Sequence, residues 1–129
     1  MAKVKPTDAE LQILEVLWRL GPQTVRQVND VINEEQAVTG KQTGYTTTLK
    51  LMQIMTEKGI VDRDATQRKH IYEASLSQEK VRGNLLSAFV QSTFGGSATS
   101  LVMQALGNHK TSKEELKAIK KLIADLEKK

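Results

Sequence analysis

GYTTTLKLMQIMTEKGIVDR, Gly44 to Arg63, reads as a short polar start, one helix, and a glycine stop that turns into a strand. At helical spacing Thr48, Leu51, Met52 and Met55 share one face, and Thr46, Leu49, Lys50 and Gln53 share the other. An apolar face backed by hydroxyls, an amide and a lysine describes an ordinary half-buried surface helix. It also describes a helix shaped for a DNA groove. The neighbouring segments decide between the two.

Upstream, Thr7 and Glu10 stand at the spacing of a capping box. The helix they open carries Leu11, Leu14, Leu17 and Trp18 as an inward stripe, and Gly21–Pro22 stops it. Thr24 and Gln27 form a second box, behind which Val25, Val28, Val31 and Ile32 point inward. The polar run NEEQAVTGKQTG, residues 33–44, is expected as a loop punctuated by Gly40 and Gly44. The helix from about Tyr45 to Lys58 follows. After Gly59, Ile60 and Val61 begin one short strand, and Ile71 and Tyr72 sit in a second. Arg63, Asp64, Arg68, Lys69 and His70 lie between them, so the spacing predicts a hairpin with a charged tip. Three helices and a hairpin in this order describe a winged helix-turn-helix, with the third helix in the major groove and the wing on the backbone.

The tail has a different character. Ser77 to Gln91 reads as a helix with Val81, Leu85, Leu86, Phe89 and Val90 apolar, broken at Gly95–Gly96. Ala98, Leu101, Val102, Ala105 and Leu106 mark a second helix. Thr111 with Glu114, or Ser112 with Glu115, caps a third, on which Leu116, Ile119, Ile123 and Leu126 fall at a/d spacing. Three short helices with one apolar stripe each make a poor core alone. Pairing two copies would bury those stripes. The expected organisation is thus mainly α: a winged-helix DNA-binding domain over residues 1–75, and a three-helix dimerisation region over 76–129. Leu101, Val102, Leu116, Ile119, Ile123 and Leu126 are its candidate contacts.

Bulk properties narrow the function. The 129 residues carry a net charge of +4, with 39% apolar, 26% charged and 4% aromatic residues. Residues 1–75 hold ten basic and ten acidic side chains, so the whole surplus lies in 76–129. A DNA-binding first domain must therefore work through local placement of charge, not through bulk charge. No apolar run approaches the ~20 residues needed to span a bilayer. The opening MAKVKPTDAE has no apolar core of a secretion signal, and cysteine is absent. A cytoplasmic protein is expected, without membrane association. His70 and His109 stand apart with no ligand partners at metal spacing. Gly95–Gly96 lacks the lysine of a phosphate loop, and no nucleophile stands beside a base. No cofactor, metal or enzymatic activity is expected.

The segments AELQILEVLWRLGPQTVRQV, GYTTTLKLMQIMTEKGIVDR and SLVMQAL, in this order, resemble the penicillinase repressor family (the BlaI/MecI/CopY group of bacterial regulators). The first matches the family's E-L-x-I-L-x-x-L-W…G-P-x-T-V opening, and the second its Y-T-T-V-x-T-L-L-x-R-L-x-x-K-G recognition helix. The resemblance covers nearly the whole chain. It implies a homodimeric repressor that occupies a palindromic operator and blocks transcription of a resistance or homeostasis gene such as a beta-lactamase.

Carried over by position, the family's DNA contacts fall on Thr46, Thr47, Leu49 and Lys50, and its wing tip near Arg63, Arg68 and Lys69. The chemistry agrees. Hydroxyls bond phosphates or base edges, a Thr or Leu packs on a thymine methyl, and Lys50 reaches a guanine edge or a phosphate. Tyr45 can donate its hydroxyl to a phosphate, and Gln53 lies on the same polar face. The chain departs from the family at Lys50, where threonine is frequent, and at Ile54, where arginine is frequent. The beta-lactam branch is cut at an Asn–Phe bond by a sensor system. The aligned bond is Gln104–Ala105, which marks a candidate regulatory cleavage site and implies a protease or sensor as a further partner. The paired cysteines of the copper branch are absent. An alternative from another class is a winged helix that docks proteins without reading DNA; in that case Arg63, Arg68 and Lys69 have no task.

Overall fold

Thr7 opens the first helix as its spacing predicts. Its hydroxyl accepts from the Glu10 amide, and the Glu10 carboxylate accepts from the Thr7 amide. The computed structural model describes residues 5–129; residues 1–4, the head of the stretch read for a secretion signal, lie outside them. Helix α1 (Asp8–Leu20) is followed by α2 (Val25–Gln36), whose box is Thr24 with Gln27. One 3-10 turn, Ala37–Thr39, leads to α3 (Tyr45–Lys58). Strands β1 (Val61–Asp64) and β2 (Ile71–Ala74) pair antiparallel, with Arg63 opposite Tyr72 and Asp64 opposite Ile71. Then come α4 (Gln78–Phe94), α5 (Ala98–Asn108) and α6 (Lys113–Glu127). The fold is mainly helical with a two-stranded wing, a winged helix-turn-helix. No helix among the described residues is long and apolar enough to cross a membrane.

The chain divides into two compact units, one reaching to Leu85 and one spanning Leu86–Lys129. The division falls inside α4, whereas the sequence placed it ahead of that helix. In the first unit the core is Ile13, Leu14, Val16 and Leu17 of α1, Val25, Val28 and Ile32 of α2, Met52 and Met55 of α3, with Ile60, Val61 and Tyr72 from the wing. Helix α1 meets α2, α3 and β2. It therefore buries a wider face than the single stripe predicted, and Ile13 and Val16 join it. Leu11 and Trp18 are only half-buried. The Trp18 indole N–H donates to the Leu76 carbonyl at 2.9 Å, tying α1 to the segment that leaves the wing.

The loop expected from residue 33 starts later. Asn33–Gln36 stay helical, since Glu and Gln are good helix formers and Asn33 finds a use for its side chain described below. At the far end of α3, Gly59 adopts φ +79°. Its N–H reaches the Thr56 carbonyl, and the Ile60 N–H reaches that of Met55. That is a Schellman motif, which needs the left-handed conformation glycine tolerates. It seats Ile60 and Met55 together in the core and aims the chain into β1. The wing gains a third partner: Gln23, just past the α1 stop, exchanges both backbone hydrogen bonds with Tyr72 at 2.8 and 2.9 Å.

In the second unit Ser112 with Glu115, of the two possible boxes, caps α6. Phe89 and Phe94 meet edge to face with centroids 5.7 Å apart. Neither α5 nor α6 buries a single residue. Leu101 and Ile119 are half-buried; Val102, Leu116, Ile123 and Leu126 are exposed.

One ion pair ties the start of α1 to the end of α3. Lys58, in the last turn of α3, donates to both oxygens of Glu10 at 2.8 and 2.9 Å. Glu10 is 1% exposed, while the Lys58 side chain keeps 34% of its surface. Burial by itself pushes the Glu10 carboxyl up. The Lys58 hydrogen bond, the Thr7 amide and the Lys58 charge outweigh it and hold the group below the ordinary glutamate value.

Two outcomes follow from this asymmetry. Lys58→Met strands a buried carboxylate and is expected to cost about 3 kcal/mol. Glu10→Gln leaves an ammonium that water reaches and costs about 1 kcal/mol; urea unfolding of both variants checks the order. Because the folded pKa of Glu10 lies below the unfolded one, the stability it contributes is present above the unfolded value and is lost as pH falls through the folded value. The melting temperature of the natural chain should therefore drop more steeply than that of Glu10→Gln between about pH 6 and about pH 3.

Candidate nucleic-acid interface

Helix α3 differs from the other well-capped helices at its start. Its first turn is preceded by Gly44, which supplies no side-chain cap, and holds no acidic residue. The positive end of the helix dipole is thus neither satisfied by a side chain nor neutralised by a carboxylate. Thr46, Thr47, Lys50 and Gln53 are all exposed. Thr46, Lys50 and Gln53 follow one another at spacings of four and three, so they form one outward stripe along the helix.

What fixes this stripe is a network of amides. Asn29 of α2 is 4% exposed and Thr48 of α3 fully buried. The Asn29 amide donates to the Thr48 hydroxyl at 2.8 Å and to the Thr43 carbonyl at 3.0 Å. One turn later, Asn33 takes the Thr43 backbone from both sides, accepting its N–H at 2.7 Å and donating to its carbonyl at 3.0 Å. Two asparagines on α2 therefore hold Thr43, two residues ahead of α3, and one of them also holds the inner face of α3 itself. The apolar face of α3 alone would leave its rotation about the helix axis less defined. A buried, fully used amide rejects a turned or slid helix, because its donors would then lack partners.

The sequence placed Leu49 on the exposed face beside Lys50. Leu49 is half-buried and packs on the core, since helix positions between the two faces turn inward where α2 and the wing close over them. It forms part of the wall of an open hollow. Thr24, Val25 and Arg26 of the α2 start, Tyr45 of α3, and Arg68, Lys69 and His70 at the end of the wing tip line the rest, with Tyr72. The hollow thus brings together Tyr45, Leu49, Arg68 and Lys69 of the expected contacts. Thr46, Lys50, Gln53 and Arg63 lie outside it. Thr47 lines a second hollow with Asp8, Gln12, Lys41 and Leu51.

Arg26 escaped the sequence reading. Its guanidinium carbon lies 4.6 Å from the centroid of the Tyr45 ring. A signal was present: Arg26 is the one basic residue of α2 and stands in its first turn, where the helix dipole disfavours a cation. A local rule broken without local compensation marks a residue with another task. At the tip, Asp64 accepts from the amide and the hydroxyl of Thr66 at 2.9 and 2.6 Å. The Thr66 hydroxyl, then its amide, hold the Asp64 carboxyl below the usual range against a slight opposing desolvation. The turn that carries the wing cations is shaped by this carboxylate.

A family model described as Penicillinase repressor matches residues 6–125, nearly the whole chain. No curated protein matches it significantly.

Removing the α2–α3 lock should loosen the approach to α3 before it loosens the core. Asn29→Ala is expected to cost about 1–3 kcal/mol, because the Thr48 hydroxyl and Thr43 carbonyl lose a buried donor. Amide hydrogen exchange over residues 43–48 should accelerate more than over α1; an even loss across both would mean the amide serves bulk stability and not the placement of α3.

Proposed function

This chain belongs to the penicillinase repressor family, a family of transcriptional repressors, and we propose that it acts as a homodimer on a palindromic operator. Each copy lays α3 into the major groove of one half-site. Lys50 and Gln53, with Thr46 and Thr47, read base edges or bond flanking phosphates. Leu49, half-buried, contributes an apolar edge at most. Arg63, Arg68 and Lys69 of the wing bind the backbone. The single observation that carries this reading is the exposed Thr46–Lys50–Gln53 stripe, held in place by the buried Asn29–Thr48 bond. Surface helices have no need of such a lock.

Support for pairing comes from the second unit. Its apolar residues, among them Leu86, Phe89, Val102, Leu116, Ile123 and Leu126, remain exposed. A unit with this much unburied apolar surface gains more from a second copy than from its own packing. In this reading the release step is a cut at Gln104–Ala105 by a protease or sensor system. Both residues are exposed, yet the bond lies inside α5. A protease that takes extended chain must first unwind that helix locally. The cut would detach α6 and its Leu116, Ile119, Ile123 and Leu126, and with them that stripe of the pairing surface. The regulated gene in this reading is a resistance or homeostasis gene such as a beta-lactamase, and the protein works in the cytoplasm, where its operator is.

Selection from a pool of random duplexes tests the proposal. A dyad-symmetric consensus should emerge, bound at least ~10³-fold more tightly than random duplex at about 150 mM salt. Lys50→Ala should cost about 1–3 kcal/mol and relax preference at one position of each half-site. Binding that ignores sequence at that salt would sink the reading. Separately, Ile123→Lys should shift the chain from dimer to monomer in analytical ultracentrifugation and leave the first unit folded.

A further inference from the structure

We propose that the hollow between α2, α3 and the wing is a seat for one DNA backbone phosphate, with Arg26 as its missing wall. The inference rests on the operator-binding reading above and extends it to a residue outside both the recognition helix and the wing.

Three observations converge on this seat. The first is charge without a counter-charge. Arg26, Arg68, Lys69 and His70 all line the hollow, and no carboxylate does. Among the described residues the ion pairs are Arg19 with Glu35 and Lys58 with Glu10. Arg26 does not pair even with Asp30, one helical turn further on. Arg26 from α2 and Arg68 and Lys69 from the wing repel one another, and an anion relieves that repulsion.

The second is the seat of the Arg26 guanidinium over the Tyr45 ring. A cation–π contact leaves the five N–H donors of the guanidinium uncommitted. The contact therefore places the fork without using its hydrogen bonds. The Tyr45 hydroxyl adds a donor beside it. A planar fork with free edges fits a phosphate, which can accept two parallel N–H bonds.

The third is the floor. Val25 and Tyr72 are buried and Leu49 is half-buried, so the cations stand over apolar side chains. An anion settling there meets less competing water than on a flat surface, and each charge acts more strongly on it. The position of the seat suits the backbone. In helix-turn-helix proteins the first helix of the pair crosses the phosphates while the second enters the groove. Here one phosphate would be gripped from the α2 side by Arg26 and from the wing side by Arg68 and Lys69. The Thr46–Lys50–Gln53 stripe would then be registered on the bases from a fixed point. Such a contact positions the protein and reads no sequence.

The test compares the full-length natural chain with Arg26→Gln and Arg26→Lys on two duplexes, the consensus recovered by selection and a random sequence. Affinities are measured from about 50 to about 300 mM salt. Arg26→Gln should weaken binding to both duplexes by a similar factor, about tenfold, and reduce the slope of log affinity on log salt by about 1. Arg26→Lys should restore the slope, since the charge returns, but not all the affinity, since the fork does not. Arg26 is exposed, so melting temperatures should agree within about 2 °C. An unchanged slope and affinity in Arg26→Gln overturns the seat. A loss confined to the consensus duplex overturns it too, because it would make Arg26 a base reader. If the natural chain does not distinguish the duplexes, the operator reading falls, and the slope on random duplex still judges the seat. If it binds neither duplex, both fall.

Discussion

The amide of Asn29 is the contact on which the use of this fold depends. Hydrophobic burial assembles α1, α2, α3 and the wing, but burial is non-directional, and methionines at the centre of α3 are the most adaptable of core side chains. Met52 and Met55 would tolerate small rotations of α3 with little loss. Asn29 would not. Its two donors are committed to the Thr48 hydroxyl and the Thr43 carbonyl, and a buried donor without an acceptor costs more than a displaced methyl group. The polar lock converts a helix that merely packs into one whose outer stripe points in a fixed direction.

Charge in the first unit is organised by the same economy of place. Acidic and basic residues are equal in number over residues 1–75, yet they are not mixed evenly. Glu10 is turned inward onto Lys58, Glu35 is held by Arg19, and Asp64 is folded into the Thr66 turn. Arg26, Arg68 and Lys69 are left around one hollow with no acid in its wall. A chain stretch with no net charge can thus offer a basic surface, because three of its acids are held in structural contacts and none of the ten lines that hollow.

The second unit follows another logic. Its helices are locally well specified: Ser97 caps α5 and the Ser112–Glu115 box caps α6. Their apolar faces meet too little within the unit to be buried. Local capping and tertiary burial are here separate matters, and a helix can have the first without the second. The same helices hold the Gln104–Ala105 bond in regular structure, so a cut there depends on local opening as much as on the residues beside the bond.

The sequence by itself determined the elements and their order. Capping boxes at Thr7 and Thr24, the bounds of α3, the Gly59 exit and the hairpin were legible, because each rests on residues near one another in the chain; at the last helix two boxes were open and the structure took Ser112. It erred where a local rule was ambiguous: residues 33–36 are polar enough for a loop and helical enough for α2, and Leu49 sits between the two faces of α3. Only the tertiary structure decided the rest. Glu10 meets Lys58 across 48 positions, Gln23 joins Tyr72, Asn29 meets Thr48, and Arg26 sits over Tyr45. Such pairs carry no periodic signature. Which polar side chain meets which is set by how the apolar faces close on one another, and that is a property of the packed chain, not of any segment of it.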